Sequence, residues 1–126
     1  MFKEYNAHPK GIKTIDCVVR AIATAKNMNY LECRRELNRA KRELGYSSYK
    51  DTKFLYDYFK NYPRLIFKPV KGEPRIKGSD FIMLHPKGTY ILKMAGHVTA
   101  CQDGVILDTW DCSYRSVYTA WVVTQE

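Results

Sequence analysis

The chain has no apolar run longer than a few residues, as in Phe81-Ile82-Met83-Leu84, whereas a membrane-spanning helix needs about 20. Its start, Met1-Phe2-Lys3-Glu4-Tyr5-Asn6, lacks the apolar core of a secretory signal, so the expected compartment is the cytoplasm. Cysteine is sparse and unpaired in spacing. Cys17, Cys33, Cys101 and Cys112 form no CxxC pair, which argues against a disulfide or zinc framework and leaves four thiols. Repeats and low-complexity tracts are absent, and no cofactor motif is present. Acidic residues are also few, 13 against 21 Lys plus Arg, for a net charge of +8. That excess bears on association with acidic partners and not on fold.

What is present suits a folded protein. Its 126 residues fit one domain, and 45% hydrophobic and 13% aromatic content supplies a core. The first half, residues 1–63, carries 13 basic and 7 acidic groups and reads as helical. Val18, Ala21, Ile22 and Ala25 share a helical face behind Asp16, so a helix should begin at Cys17. Asn29 and Gly45 bracket a second helix, whose Cys33, Leu37, Ala40 and Leu44 make another stripe. A third follows Asp51 and stops by Pro63, with Leu55, Tyr58, Phe59 and Tyr62 turned to the core.

From Arg64 onward the apolar period becomes two. Segments 65–67, 80–85, 89–94, 97–101, 105–110 and 117–123 read as strands, with Pro86-Lys87-Gly88 and Asp103-Gly104 as turns between neighbours. Lys71 to Gly78 is the linker-like stretch. The expected fold is therefore α+β: N-terminal helices packed on a C-terminal antiparallel sheet within a single domain of residues 1–126.

The Asp103-Gly104 turn fixes a register in which Cys101 faces Ile106 and Ala100 faces Leu107. His97, Thr99 and Cys101 then share a face with Ile106, Asp108 and Trp110, and His97 becomes a diagonal neighbour of Asp108. Asp111 points to the other face, and Asp103 is used in the turn. An imidazole oriented by a carboxylate needs a proton donor. Cys17, at the first turn of a helix, is the best placed, since the exposed N–H groups there and an imidazolium would both favour its thiolate. The adjacent Asp16 opposes this unless its charge is absorbed.

Asp16-Cys17-Val18-Val19-Arg20-Ala21-Ile22-Ala23 opening a helix, with Gly96-His97-Val98-Thr99-Ala100 and Gly104-Val105-Ile106-Leu107-Asp108-Thr109-Trp110 later in the chain, resembles the papain-like cysteine peptidase superfamily. The likeness is to small members of the bacteriocin-processing type and to proteins carried by phages and mobile elements. The resemblance implies a minimal papain-like domain in which Cys17 is nucleophile, His97 base and Asp108 orienter, with a protein or peptide substrate and no cofactor or metal. Transglutamination and deamidation use the same machinery. The superfamily's Cys-Gly-Ser-Cys-Trp signature and its upstream Gln are absent, and Asn6 is the nearest upstream amide for an oxyanion contact, beside the Cys17 backbone N–H.

Plainer readings stand beside these. Cys17 is equally a small buried hydrophobe, His97 a core or edge-strand histidine, and Trp110 a core aromatic rather than a roof over a site. His8 and His85, each before a proline, read as turn or surface residues. A zinc site from Cys101, Cys112 and a histidine lacks paired spacing. The basic run Arg34, Arg35, Arg39, Lys41 and Arg42 is either a solvated helix face or a contact for nucleic acid or a host protein. The last reading makes the chain a phage-type accessory binding protein with an unused thiol.

Overall fold

A computed structural model describes residues 1–11 and 16–124. In chain order the elements are β1 (Phe2–Glu4), α1 (Cys17–Ala25), α2 (Tyr30–Leu44), α3 (Thr52–Tyr58), β2 (Arg64–Ile66), α4 (Gly78–Leu84), β3 (Thr89–Met94), β4 (His97–Gln102), β5 (Val105–Asp108) and β6 (Val117–Thr124). The fold is mixed α and β, with helices mainly in the first half and strands mainly in the second.

The six strands form one sheet in the order β1-β5-β4-β3-β6-β2. All neighbours run antiparallel except β1, which lies parallel to β5 with Phe2 opposite Ile106 and Glu4 opposite Asp108. The sheet is therefore mixed, not wholly antiparallel. Three residues at a sheet edge carry too short a pattern to register as a strand.

Alternation along β3 separates two cores. Ile91 faces α1, α2 and α3, packing with Val98, Trp121, Ile22, Leu37 and Phe54. Tyr90, Leu92 and Met94 face the other way, toward Phe81 and Ile82 of α4 and toward Cys101, Ile106 and Val117. α1 lies against β4 on one side and α2 on the other. Its burial consequently extends beyond one stripe: Val18, Val19, Arg20, Ala21, Ile22 and Ala23 are all buried.

α2 begins and ends as its sequence dictates. The Asn29 side chain accepts from the N–H groups of Leu31 and Glu32, and Gly45 takes the left-handed conformation at φ 82°. Asp51 caps α3 through the Lys53 N–H at 2.8 Å. That helix ends at Tyr58 rather than reaching Pro63. Phe59 nevertheless enters the core, stacked on Trp121 at 4.8 Å between ring centres.

Residues 80–85 correct the strand expectation, because 78–84 form α4. Asp80 accepts the Lys77 backbone N–H at 2.9 Å and fixes the first turn, while Pro86 prevents continuation. Phe81 and Ile82 are buried and Met83 and Leu84 exposed. A four-residue apolar run does not by itself distinguish these two outcomes. Pro86-Lys87-Gly88 therefore joins α4 to β3 rather than two strands. Gly88 sits at φ +95°, where an added Cβ would lie 2.6 Å from the Thr124 carbonyl oxygen.

The Asp103-Gly104 hairpin has the expected register: Gln102 opposite Val105, Cys101 opposite Ile106 and Ala100 opposite Leu107. Both turn residues have positive φ, 49° and 77°, as a two-residue turn of this type requires. β5 ends at Asp108, two residues earlier than expected.

Candidate active site

Cys17 opens α1 where that helix meets the start of β4, and it is half-buried. Burial pushes its thiol up, but a hydrogen bond to His97, a backbone hydrogen bond with Val98 and the charge of His97 outweigh this. The net direction is down from the usual thiol value, despite Asp108 pulling the other way. The remaining thiols differ. Burial raises Cys33 to about 11 and Cys101 to about 12.

His97 is the first residue of β4 and is buried. It follows Gly96, whose φ of +63° turns the chain between β3 and β4. An added Cβ there would meet only Arg115 Nη1 at 3.9 Å, so this glycine serves the turn and not a close approach. The imidazole Nε2 lies 2.7 Å from Asp108 Oδ2. With Nε2 committed to Asp108, Nδ1 is the ring nitrogen left for another partner. Burial disfavours the imidazolium, yet hydrogen bonds to Asp108, Cys112 and Cys17 raise the ring to about 11. Cys17 and His97 thus shift in opposite senses, which favours a thiolate–imidazolium pair.

Asp108 is buried and its oxygens are well supplied with donors. Oδ2 accepts from Thr99 Oγ1 at 2.7 Å as well as facing His97, and Oδ1 accepts the Thr109 N–H at 2.7 Å. Cys112 Sγ lies 3.6 Å from Oδ2, and Arg20 Nη2 lies 3.7 Å from Oδ1. Burial alone would raise this carboxyl, but the His97 and Thr99 hydrogen bonds and the His97 charge hold it below the usual value. Asp111 is exposed and accepts the Ser113 N–H at 3.0 Å, with no part in this network.

Asp16 does not cap α1 with its side chain. Its carboxylate is instead bound by Arg20 and by the Tyr30 hydroxyl. The neighbouring negative charge is therefore absorbed, by an ion pair rather than a cap. Arg20 joins Asp16 to Asp108 and ties the α1 N-terminus to the end of β5.

A pocket of about 200 Å³ lies beside Cys17, bordered by Cys17, His97, Val98, Leu55, Lys50 and Lys93. Trp110 covers one side of the imidazole, with ring centres 4.8 Å apart, and carries the Arg115 guanidinium 5.1 Å from its own centre. Trp110 is half-buried, so it both roofs the histidine and packs against the second core.

Asn6 follows β1, and its Oδ1 accepts the His8 N–H at 3.0 Å. It is not among the residues that border the pocket. His8 opens a turn, its carbonyl accepting the Gly11 N–H at 2.9 Å, and both His8 and His85 are half-buried: His8 packs on Tyr30 at 4.7 Å and His85 stacks on Phe81 at 4.6 Å. On α2, Arg34, Arg35, Arg39 and Arg42 are exposed and Lys41 is half-buried. Arg39 pairs with Glu36 at 2.5 Å and with Glu43 at 2.7 Å, which offsets part of that charge on the helix itself.

Three participants escape reading by motif. Arg20 sits four residues after Asp16, a spacing equally common in surface ion pairs. Lys93 is visible only as a lysine inside the apolar strand Tyr90-Ile91-Leu92-Lys93-Met94. Cys112 lies beyond β5 and returns to Asp108 through a turn. His97, Asp108 and Cys112 place one donor atom each within 4.8 Å of the others. The 2.7 Å between Nε2 and Oδ2 is a hydrogen bond, whereas two ligands about 2.0 Å from a tetrahedral zinc stand about 3.3 Å apart.

No helix among the described residues is long and apolar enough to cross a membrane. No family model, curated protein or solved structure matches this chain.

Proposed function

We propose that the chain is a cysteine-dependent acyl-transfer enzyme, acting as a peptidase or isopeptidase. The observation that carries this reading is Cys17 and His97 bordering one pocket, with the imidazole Nε2 resting on a buried carboxylate 2.7 Å away. A buried Asp108 facing five kinds of donor is well suited to holding one tautomer and supporting the imidazolium. A core histidine would need no thiol partner, and a structural thiol would not be shifted toward its anion.

In the reaction, the Cys17 thiolate attacks a substrate carbonyl carbon, forming a C–S bond as the carbonyl π pair moves to oxygen. Collapse of that oxyanion breaks the C–N bond, and the His97 imidazolium gives its proton to the departing amine. His97 then removes a proton from water as the water oxygen attacks the thioester, and the released sulfur returns as thiolate. An amine in place of water completes transamidation instead. The Val98 backbone and the α1 N-terminus both favour the thiolate, and the Cys17 N–H would serve as an oxyanion donor.

The test is selective alkylation. Iodoacetamide at limiting concentration and neutral pH should modify Cys17 at least about tenfold faster than Cys33, Cys101 or Cys112, read by peptide mass mapping. Equal or slower reaction at Cys17 refutes the reading.

A further inference from the structure

Lys93 lies within the sheet, one residue from the end of β3, and only 8% of it is exposed. It is on the sheet face toward α1, in alternation with Leu92 and Met94, and it borders the pocket at Cys17. Its ammonium donates one hydrogen bond, to the Met94 carbonyl at 2.7 Å. Among the described residues it makes no ion pair with a carboxylate. Burial holds its pKa below the ordinary lysine value, and the charge of Cys17 acts against this. A buried ammonium carries three protons and tolerates its setting only when they and its charge are matched.

No described carboxylate borders the pocket, while a second cation, Lys50, stands at its rim and Leu55, Val18 and Val98 make its apolar wall. A volume of about 200 Å³ accommodates one side chain rather than an extended chain. The pocket is bordered by Cys17 itself. It therefore suits the group that stays at the sulfur after the leaving amine has gone, the acyl residue.

We propose that this pocket selects substrates whose acyl residue carries a side-chain carboxylate, aspartate or glutamate, which Lys93 receives as the carboxylate partner that no described residue supplies. The inference rests on Cys17 being the nucleophile. It adds the substrate class: cleavage or transfer after an acidic residue. Val18, Leu55 and Val98 exclude water around the pair, so the charge-assisted hydrogen bond counts for more than it would at the surface. A neutral amide of equal size would leave the ammonium unmatched.

The experiment uses the full chain and N-acetyl aminoacyl chloromethyl ketones bearing Asp, Glu, Asn, Gln or Leu. In each, sulfur displaces chloride to form a thioether, and intact mass with peptide mapping gives the rate at Cys17. Asp or Glu probes should react about tenfold faster than Asn, Gln or Leu probes. Lys93→Met and Lys93→Gln should reduce that acidic-to-neutral ratio to near one, and Lys93→Arg should keep most of it. The ratio, not the absolute rate, is the readout, because removing a cation beside the thiolate slows every probe. The wild-type ratio stands even if a variant fails to fold, and iodoacetamide labelling of each variant reports whether its site is intact. Equal rates for Asp and Asn probes, faster reaction with Leu, or a ratio unchanged in Lys93→Met overturns the substrate class while leaving the nucleophile in place. Failure of both iodoacetamide and all five probes to label Cys17 overturns the nucleophile, and the substrate class with it.

Discussion

His97 Nε2 and Asp108 Oδ2 stand 2.7 Å apart across neighbouring strands, and a single turn sets that distance. Asp103-Gly104 places Cys101 opposite Ile106, so residues 97, 99, 106 and 108 fall on one face, with Thr99 bonded to the same oxygen as His97. A slip of one residue would turn Asp108 away from the imidazole altogether.

Asp108→Ala should therefore reduce turnover and Cys17 alkylation strongly, on the order of 100-fold, through loss of tautomer control and of support for the imidazolium. It should also destabilise the fold, because Arg20 and Thr99 lose their acceptor. Asp108→Asn keeps the shape and one acceptor oxygen, so it should be gentler on both counts. Asp111→Ala should leave the rate nearly unchanged, since its exposed carboxylate serves only the Ser113 turn. Alkylation kinetics beside thermal melts separate the cases, and a damaging Asp111→Ala with a mild Asp108→Ala would refute the register argument.

Cys17→Ala should abolish thiol-dependent turnover with a stability change below about 1 kcal/mol, as expected for a half-buried residue at a helix start. Cys33→Ala should do the reverse. Cys33 is 1% exposed between α1 and α2, and truncation there leaves a void worth about 1 kcal/mol or more. Melting curves and turnover measured on both variants check the pair. A large drop in melting temperature for Cys17→Ala would identify that thiol as structural.

The parts of the fold legible in the sequence are those set by local chemistry. Asn29 and Gly45 bracket α2 because one supplies a cap and the other a left-handed residue, and Asp103-Gly104 fixes its hairpin. Neither depends on distant residues. Phe81 to Leu84 reads as a strand in the sequence and is helical because the environment decides it: Phe81 and Ile82 fill the second core while Met83 and Leu84 face water. β1 is a strand only because β5 offers an open edge. At the site, Cys17, His97 and Asp108 could be brought together from chain order and register. Arg20, Lys93 and Cys112 could not, since their roles depend on how α1 lies against the sheet and how the chain returns after β5.

Arg20 links Asp16 to Asp108 within the protein, so Arg20→Met leaves two buried carboxylates without the cation they share. A loss of about 3–5 kcal/mol is expected. The double variant Arg20→Met, Asp16→Asn should recover part of it, because the amide still accepts from Tyr30 and carries no charge. A site role for Arg20 has its own signature. Without this cation the field at Cys17 becomes more negative, so the acid limb of the alkylation profile should move to higher pH in Arg20→Met and return toward the wild-type position in the double variant, where the Asp16 charge is removed as well. Unchanged limbs would limit Arg20 to holding α1 in place.

The pH profile of the wild-type protein follows from opposite shifts at two atoms. Cys17 is lowered from 9.0 by His97 and Val98 acting against burial, and His97 is raised to about 11 by Asp108, Cys112 and Cys17 acting against burial. On the acid side the thiolate is protonated, so the alkylation rate should rise as pH passes through a Cys17 value below that of an ordinary thiol. On the alkaline side the imidazolium loses its proton. Turnover needs that proton for the leaving amine, whereas alkylation of the thiolate does not. Turnover should therefore be bell-shaped, with its upper limb near 11, while iodoacetamide labelling holds a plateau. Stability contributed by the His97 imidazolium has the same upper boundary. Its folded value is raised, so the contribution is full below the unfolded value near 6.5 and is lost as pH rises through about 11. In Asp108→Asn the partner charge is gone, His97 should fall toward its ordinary range, and the upper limb of turnover should move down with it. An acid limb at or above 9.0 in the wild type, or an upper limb that ignores Asp108→Asn, would dissociate the two groups and refute the thiolate–imidazolium pair.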